Sequence, residues 1–170
     1  MIATAATTQP TVSGIFNYTV TGTGPCASAS LTGIITVTAD GTVTLTSPAG
    51  TDNQTVCINT PIATISYAVG GSGTGGSVSG LPAGVTGSYA GGVITITGTP
   101  TISGTFNYTV STTGPCVNPN ATRTITVDPD ATITLTSAPP TTNQELCVNA
   151  TLTNITYAVG ATGSGATVAG

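Results

Sequence analysis

Apolar and hydroxyl-bearing residues alternate along much of this chain, with a period of two residues. The clearest segments are TVTLTS at 42–47, TISYAV at 64–69, VITIT at 93–97, TFNYTV at 105–110 and RTITV at 123–127. Because successive side chains of a β-strand point to opposite faces, each segment can turn its apolar residues inward. The predicted inward residues are Val43, Leu45, Ile65, Tyr67, Val69, Ile94, Ile96, Phe106, Tyr108, Val110, Ile125 and Val127. No segment has a helical period, so the pattern predicts an all-β chain.

Segments rich in Gly and Pro separate these predicted strands. They are GGSGTGG at 70–76, GLPAGV at 80–85, AGG at 90–92, GTPTISG at 98–104 and TTGPC at 112–116. Gly and Pro favour turns, and we expect a turn at each of these positions. A Gly-rich run binds phosphate when a helix follows it, and no helical pattern follows any of these runs.

The chain repeats itself with a period of ninety residues. Residues 1–80 align with residues 91–170 without a gap, and 38 of the 80 positions are identical. Ninety residues is the size of a whole β-sandwich domain and exceeds the length of solenoid repeats. The sequence therefore predicts tandem sandwich domains. Residues 41–129 form a complete repeat, residues 1–40 the C-terminal half of a preceding one, and residues 130–170 the N-terminal half of the next.

The two predicted half-domains at 1–40 and 130–170 each need a partner. Half a sandwich cannot bury its apolar face or satisfy its strand edges. We therefore expect each half to be completed by a neighbouring repeat, supplied either by a longer chain or by another copy packed head to tail. Repeated head-to-tail contacts of that kind build a filament.

The composition is dominated by small and hydroxyl-bearing residues: 40 of the 170 are Thr and 23 are Gly. Arg123 is the only basic side chain, His and Lys are absent, and the net charge is -4. Nucleic-acid binding requires clustered basic residues, so we expect no nucleic-acid partner. We expect no direct membrane insertion, because no apolar run has the length of a spanning helix. An enzyme is not expected, since no His or Lys can activate a nucleophile.

A neutral, Thr-rich composition without lysine suits an exported protein. The stretch MIATAATT at 1–8, however, lacks the basic start and apolar core of a signal peptide. These residues are typical of a mature fragment or of a stretch within a longer protein, and whether Met1 is native is left open. Four Cys residues without His suit an oxidising compartment. We expect an extracellular protein of the cell surface.

Motif order suggests a family. The stretch GLPAGVTGSYAGGVITITGTPTISGTFNYTV at 80–110 resembles immunoglobulin-like (Ig-like), cadherin-like domains of bacterial surface proteins. With NQTVCINTPIATISYAVGGSGTG at 53–75 and TTGPCVNP at 112–119, the chain is similar to repeats of giant adhesins of gliding Bacteroidota, which are exported by type IX secretion. The resemblance implies tandem Ig-like β-sandwich domains that form long surface filaments.

We interpret the chain as a structural repeat segment, a stalk, spacer or filament shaft, of a secreted bacterial adhesin or extracellular filament. The alternative is a carbohydrate-binding or surface-binding module that uses the Gly-rich loops at 70–76. The five Tyr residues could also line a sugar site, but four of them lie within the repeated strand motifs, which favours packing. They are Tyr18, Tyr67, Tyr89, Tyr108 and Tyr157.

The four Cys residues allow several pairings. Cys57 and Cys116 are the candidate pair within one domain, and Cys26 and Cys147 the candidate pair with an adjoining repeat or chain. A disulfide needs Cα atoms within about 7 Å of each other. In a standard sandwich Cys57, near the first turn, and Cys116, in the last hairpin loop, can lie at opposite ends. Bonds that staple neighbouring domains, and free thiols, are therefore alternatives.

The sequence VDPD at 127–130 marks a domain junction where cadherin-like arrays often bind Ca²⁺. Asp128 and Asp130 are the candidate ligands, but Ca²⁺ takes six to eight oxygen ligands and the equivalent VTAD at 37–40 supplies only Asp40. A linker stiffened by Pro129 is the favoured interpretation. No other cofactor is suggested.

Overall fold

The structure, a computed structural model, describes residues 9–26 and 29–169, and the regular elements of this part are almost all β-strands. The strands are β1 (Gly14–Thr21), β2 (Ser30–Val37), β3 (Thr42–Leu45), β4 (Gln54–Cys57), β5 (Ile65–Gly70), β6 (Gly75–Ser79), β7 (Val85–Ala90), β8 (Val93–Gly98), β9 (Gly104–Thr113), β10 (Asn120–Asp128), β11 (Thr132–Leu135) and β12 (Tyr157–Gly160). One short 3-10 helix covers Pro139–Thr142. The all-β prediction is confirmed. Within the described ranges, no helix has the length and apolar character needed to cross a membrane.

Strands β3 to β10 form a two-sheet sandwich. One sheet has the order β3-β5-β8-β7 and the other the order β4-β10-β9-β6. All neighbouring strands are antiparallel except β4 and β10, which run parallel with Gln54 opposite Ile125 and Cys57 opposite Asp128. This is the strand order of an Ig domain whose first strand is divided between the two sheets. The prediction of an Ig-like sandwich is confirmed.

The core lies between these sheets and consists of the residues that alternate with Thr along the strands. All twelve predicted inward side chains belong to it or pack against it. The fully buried members with the largest side chains include Tyr67, Tyr108, Ile65, Ile94, Ile96, Ile125, Val110 and Val127. Each fully buried apolar side chain of this size stabilises the fold by roughly 1.5 to 3 kcal/mol. The alternation in the sequence is therefore the physical basis of the sandwich.

The Gly-rich run at 70–76 is not a turn throughout, which corrects the expectation from the sequence. Strand β5 continues to Gly70, and β6 begins at Gly75 and pairs with β9. A side chain at Gly76 would collide with the end of the Ile94 side chain. Glycine therefore lets β6 lie close against the core without displacing Ile94, a role that composition does not distinguish from a turn.

Two further pairs of strands repeat parts of the sandwich. Strands β1 and β2 pair with Gly14 opposite Val37, the register of Gly104 and Val127 ninety residues later. Strands β11 and β12 pair with Thr132 opposite Gly160, which repeats the pairing of β3 and β5. The ninety-residue repeat of the sequence is thus a repeat of strand pairing.

Candidate functional site

The connection that enters the sandwich is fixed to one end of it. Residues 38–41 and the loop 114–119 between β9 and β10 form what we call the junction. The Gly41 N–H donates to the Val117 carbonyl at 2.9 Å, and the Val117 N–H donates to Oδ1 of Asp40 at 3.3 Å. The chain leaves the sandwich after Asp128, at the far end of β10. Entry and exit therefore lie at opposite ends of the domain.

The cysteines lie at these two ends. Cys116 is in the junction, where its thiol contacts the Thr38 carbonyl with a sulfur to oxygen distance of 3.7 Å. Cys57 ends β4 opposite Asp128, at the other end of β10. The nine residues of β10 thus separate the members of the predicted same-domain pair, and strand residues advance about 3.3 Å each. All four cysteines, including Cys26 and Cys147, are free thiols in this structure, and the structure does not bring Cys57 and Cys116 together.

The two candidate calcium ligands flank the exit. The Asp128 carbonyl accepts a hydrogen bond from the Ile58 N–H at 2.8 Å, and the Pro129 carbonyl accepts one from the Thr162 hydroxyl at 2.7 Å. These contacts hold the linker against both neighbouring segments. Across residues 9–26 and 29–169, no three metal-binding side chains come together in a way that could hold an ion.

A buried polar cluster joins the two sheets of the sandwich. The Tyr108 hydroxyl donates to the Asp52 carbonyl at 2.9 Å. The Tyr67 hydroxyl lies 3.4 Å from the Tyr108 hydroxyl. The guanidinium of Arg123 donates through Nε to the Asp52 carboxylate at 2.5 Å. Sequence reasoning missed this cluster, because the positions equivalent to Arg123 and Asp52 are Gly33 and Thr142, so the repeat gives no signal for it.

Burial and hydrogen bonding shift the pKa values in this cluster. Burial away from water raises the pKa of Tyr108 well above its ordinary range, and the hydrogen bond with Tyr67 adds to the effect. The pKa of Tyr67 is also raised, chiefly by burial. The hydrogen bond to Asp52 raises the pKa of Arg123. Both phenols therefore stay neutral, and the cluster serves the fold as a network of hydrogen bonds.

A glutamine in each repeat holds the loop that follows the first strand. The amide of Gln54 donates to the Thr51 carbonyl at 2.6 Å and the Ala63 carbonyl at 2.7 Å, and accepts from the Ala63 N–H at 2.8 Å. Gln144 makes the same three contacts with residues Thr141 and Thr153. The repeated dipeptide Asn-Gln at 53–54 and 143–144 was the signal that could have revealed this brace.

The hairpin β1–β2 presents an apolar face that is open to solvent. We call Phe16, Tyr18, Val20, Ile35 and Val37, whose equivalents point into the core of the sandwich, the hairpin face. Ile35 is 54% exposed, whereas its equivalent Ile125 is 0% exposed in the sandwich. A cavity of about 480 Å³ lies over this face and is lined by Phe16, Ile35, Val37 and residues 9–12. The face matches the inner surface of one sheet without the sheet that covers it.

Residues 131–169, which we call the opening segment, are similarly uncovered. Tyr157 is 52% exposed, whereas its equivalent Tyr67 is 2% exposed. Residues 144–147 are equivalent to β4 but form no strand, although Gln144 keeps its brace. The loop is thus shaped as in the sandwich, although no strand of the described residues pairs with 144–147.

Most of the tyrosines considered for sugar binding pack in or against the core of the sandwich. Tyr67 and Tyr108 are in the core, and Tyr89 packs against it. Tyr18 and Tyr157 are the two tyrosines with large exposed areas, and they belong to the hairpin face and the opening segment. The Gly-rich run contributes its ends to β5 and β6, which leaves residues 71–74 as the loop.

Comparisons with known proteins return structural neighbours only. No family model matches the chain, and no curated protein matches it. It is similar to a chimeric titin Z1Z2 functionalized with a KLER exogenous peptide from decorin, with 16% identity, a TM-score of 0.42 and coverage of 65% of this chain and 60% of that one. It is also similar to the titin domains z1z2 in complex with telethonin, with 18% identity, a TM-score of 0.42 and coverage of 59% of this chain and 55% of that one.

Another similar structure contains domains 4 and 5 of the S-layer protein SbsC, with 17% identity, a TM-score of 0.36 and coverage of 69% of this chain and 67% of that one. The chain spans less than two thirds of the length of the two titin structures.

Proposed function

We propose that this chain is a segment of tandem Ig-like repeats that serves as the stalk, spacer or filament shaft of a secreted bacterial adhesin or extracellular filament. The observation that carries the proposal is the placement of entry and exit at opposite ends of the sandwich. Each repeat then adds its full length to the array. In this proposal residues 41–129 are one complete repeat, and residues 1–40 and 130–170 are halves of its neighbours.

The surface assignment is supported by the motif order at 80–110, which resembles repeats of type IX-secreted adhesins of gliding Bacteroidota. A mechanical role without catalysis is supported by the lack of His and Lys in the sequence. It is also supported by the cluster of Tyr67, Tyr108, Asp52 and Arg123, in which the two tyrosines link the sheets and Asp52 contacts Tyr108 and Arg123. An extracellular location follows from the same proposal.

Pulling on the two ends of the chain tests the mechanical role. Load applied between Thr42 and Asp128 shears the parallel pair β4–β10 along its length, so several hydrogen bonds must break together. In single-molecule force spectroscopy we expect one resolved event that releases about 30 nm of chain, since an extended residue spans at most about 3.6 Å. Continuous extension without a resolved event would contradict the proposal.

Glycan-array binding by the same chain distinguishes the binding-module alternative. The proposal predicts no glycan-dependent signal above that of a variant in which Ser72 and Thr74 of the 71–74 loop are replaced by Ala. Selective binding that this variant loses would favour a carbohydrate-binding module and would count against a purely mechanical role.

A further inference from the structure

The hairpin face has the shape of a surface that the complete sandwich covers. In the sandwich, the equivalent residues Tyr108, Val110 and Ile125 are 0% exposed. They lie beside β4 and β6 and face the sheet β3-β5-β8-β7, and of these strands β3 to β6 come from residues 42–80. The complete repeat therefore shows what kind of segment fits this face: the N-terminal half of a repeat.

Among the described residues, the opening segment repeats the sequence of this N-terminal half, and its own apolar side chains are uncovered. Its residues 144–147 lack a partner strand, and Leu146 is 46% exposed. The hairpin and the opening segment of one chain cannot meet, because they leave the sandwich at opposite ends, about 30 Å apart along β10.

We infer that the hairpin face of one chain is covered by the opening segment of a second copy, so that copies join head to tail through a composite sandwich. This inference rests on the proposed function and names its partner. By the register of β4 and β10, Ile35 lies opposite Gln144 of the second copy, and Thr38 lies opposite its Cys147. The brace of Gln144 holds the docking loop in shape before contact.

The hairpin and the opening segment both lack the charged residue that the sandwich has at the equivalent position. In the complete sandwich the Asp52 carboxylate is paired with Arg123. At the position of Arg123 the hairpin has Gly33, and at the position of Asp52 the opening segment has Thr142. An Asp facing Gly33 would lose its partner, and an unpaired carboxylate at a buried contact is destabilising. Both members of the pair are replaced together, as expected if these two halves meet.

The cysteines gain partners in the same arrangement. The thiol of Cys116 already contacts the Thr38 carbonyl, and Cys147 of the second copy lies opposite Thr38. At the other end of the composite domain, Cys26 of the first copy comes to Asp128 of the second copy, as Cys116 comes to Thr38, and Cys57 of the second copy faces that Asp128. Two disulfides, Cys116 with Cys147 and Cys26 with Cys57, then staple each pair of copies.

Each bond forms by thiol–disulfide exchange with a small-molecule disulfide such as oxidised glutathione. One Cys thiolate attacks the oxidant and releases one of its thiols. The second Cys thiolate attacks the mixed disulfide and releases the other thiol. Two electrons pass from the protein to the oxidant, and the two protons of the protein thiols end on the released thiols.

The association is tested by light scattering under reducing conditions over a dilution series. We expect the mean mass to rise with concentration above the 16.4 kDa of one chain. The variant Ile35→Asp should stay a monomer, whereas Thr32→Asp, on the outward side of β2, should associate like the parent. A single-chain mass at every concentration would overturn the inference. The proposed function would stand if that monomer still unfolded under force in a resolved event.

The charge match is tested by a rescue. Thr142→Asp should weaken association about tenfold or more, because its carboxylate faces no cation. Chains carrying both Gly33→Arg and Thr142→Asp should recover most of that loss, as Asp52 and Arg123 pair in the sandwich. Unfolding of the complete sandwich serves as the folding control. Equal association of the Thr142→Asp variant and the parent would overturn the proposed contact.

The disulfides are tested with an equal mixture of ¹⁵N-labelled and unlabelled chains, oxidised with oxidised glutathione and digested without reduction. We expect linked peptides Cys116–Cys147 and Cys26–Cys57, each found in hybrid isotopic forms by mass spectrometry. Cys147→Ser should lose the first link and keep the reversible association under reduction. A Cys57–Cys116 link, or linked peptides without hybrids, would overturn the staples.

Discussion

At the scale of single residues, the contact between Arg123 and Asp52 fixes the most polar point of the core. Asp52 is 7% exposed, so its carboxylate depends on the guanidinium for compensation. We expect Arg123→Met to lower the free energy of unfolding, because it leaves the Asp52 carboxylate without its cation. Urea unfolding of the chain measures this.

The control for that substitution comes from the repeat. The double variant Asp52→Thr with Arg123→Met removes both charges, as Thr142 and Gly33 do in the flanking halves. It should be more stable than Arg123→Met alone. If the single variant unfolds at the same urea concentration as the parent, the ion pair does not support the core.

The buried phenols make the fold sensitive to alkali. Burial raises the pKa of Tyr108 and of Tyr67, so the folded state holds their protons more tightly than the unfolded state does. Their contribution to stability is complete below the unfolded pKa of about 10 and is lost as the pH rises above it. Urea midpoints measured between about pH 8 and pH 11 should fall, and the fall should be smaller in the Tyr67→Phe, Tyr108→Phe double variant.

At the scale of elements, β4 shows that a partner decides whether a strand forms. Residues 54–57 and 144–147 share the glutamine brace, but only the first set pairs with a β10. In the Ile35→Asp variant, which is designed to remain a monomer, hydrogen exchange should be slow at residues 54–57 and fast at 144–147. Equal protection of the two sets would show that pairing is not the cause of the difference.

The same comparison explains what the sequence could and could not predict. Strong alternation of apolar residues with Thr marked β8, β9 and β10, because their inward side chains carry most of the burial. Strands β6 and β7 escaped notice, since their Gly and Ser residues have no such alternation and the strands depend on pairing with β9 and β8. The ion pair of Asp52 and Arg123 escaped for a related reason, as the two residues are 71 positions apart and meet only when the loop before β4 lies against β10.

At the scale of the whole molecule, buried apolar side chains of the described residues are concentrated in the core between the two sheets of the sandwich. Ile125 and Ile35 occupy equivalent strand positions, but Ile125 is 0% exposed and Ile35 is 54% exposed. Local pairing is thus the same in both hairpins, and burial differs because, among the described residues, a second sheet covers β9 and β10 but not β1 and β2. The two substitutions to Ala are therefore a matched pair that separates the effect of burial from that of the strand itself.

We expect Ile125→Ala to lower the free energy of unfolding by about 2 to 5 kcal/mol, the range for removing a buried Ile side chain. Ile35→Ala should change the unfolding of the sandwich by less than about 0.5 kcal/mol in dilute, reduced protein, as is usual for exposed positions. Urea unfolding followed by tyrosine fluorescence measures both. Ile35 becomes buried when copies join. The loss of unfolding free energy caused by Ile35→Ala should therefore grow with protein concentration, while the loss caused by Ile125→Ala stays constant. Equal costs at all concentrations would mean that the two halves never form a second core.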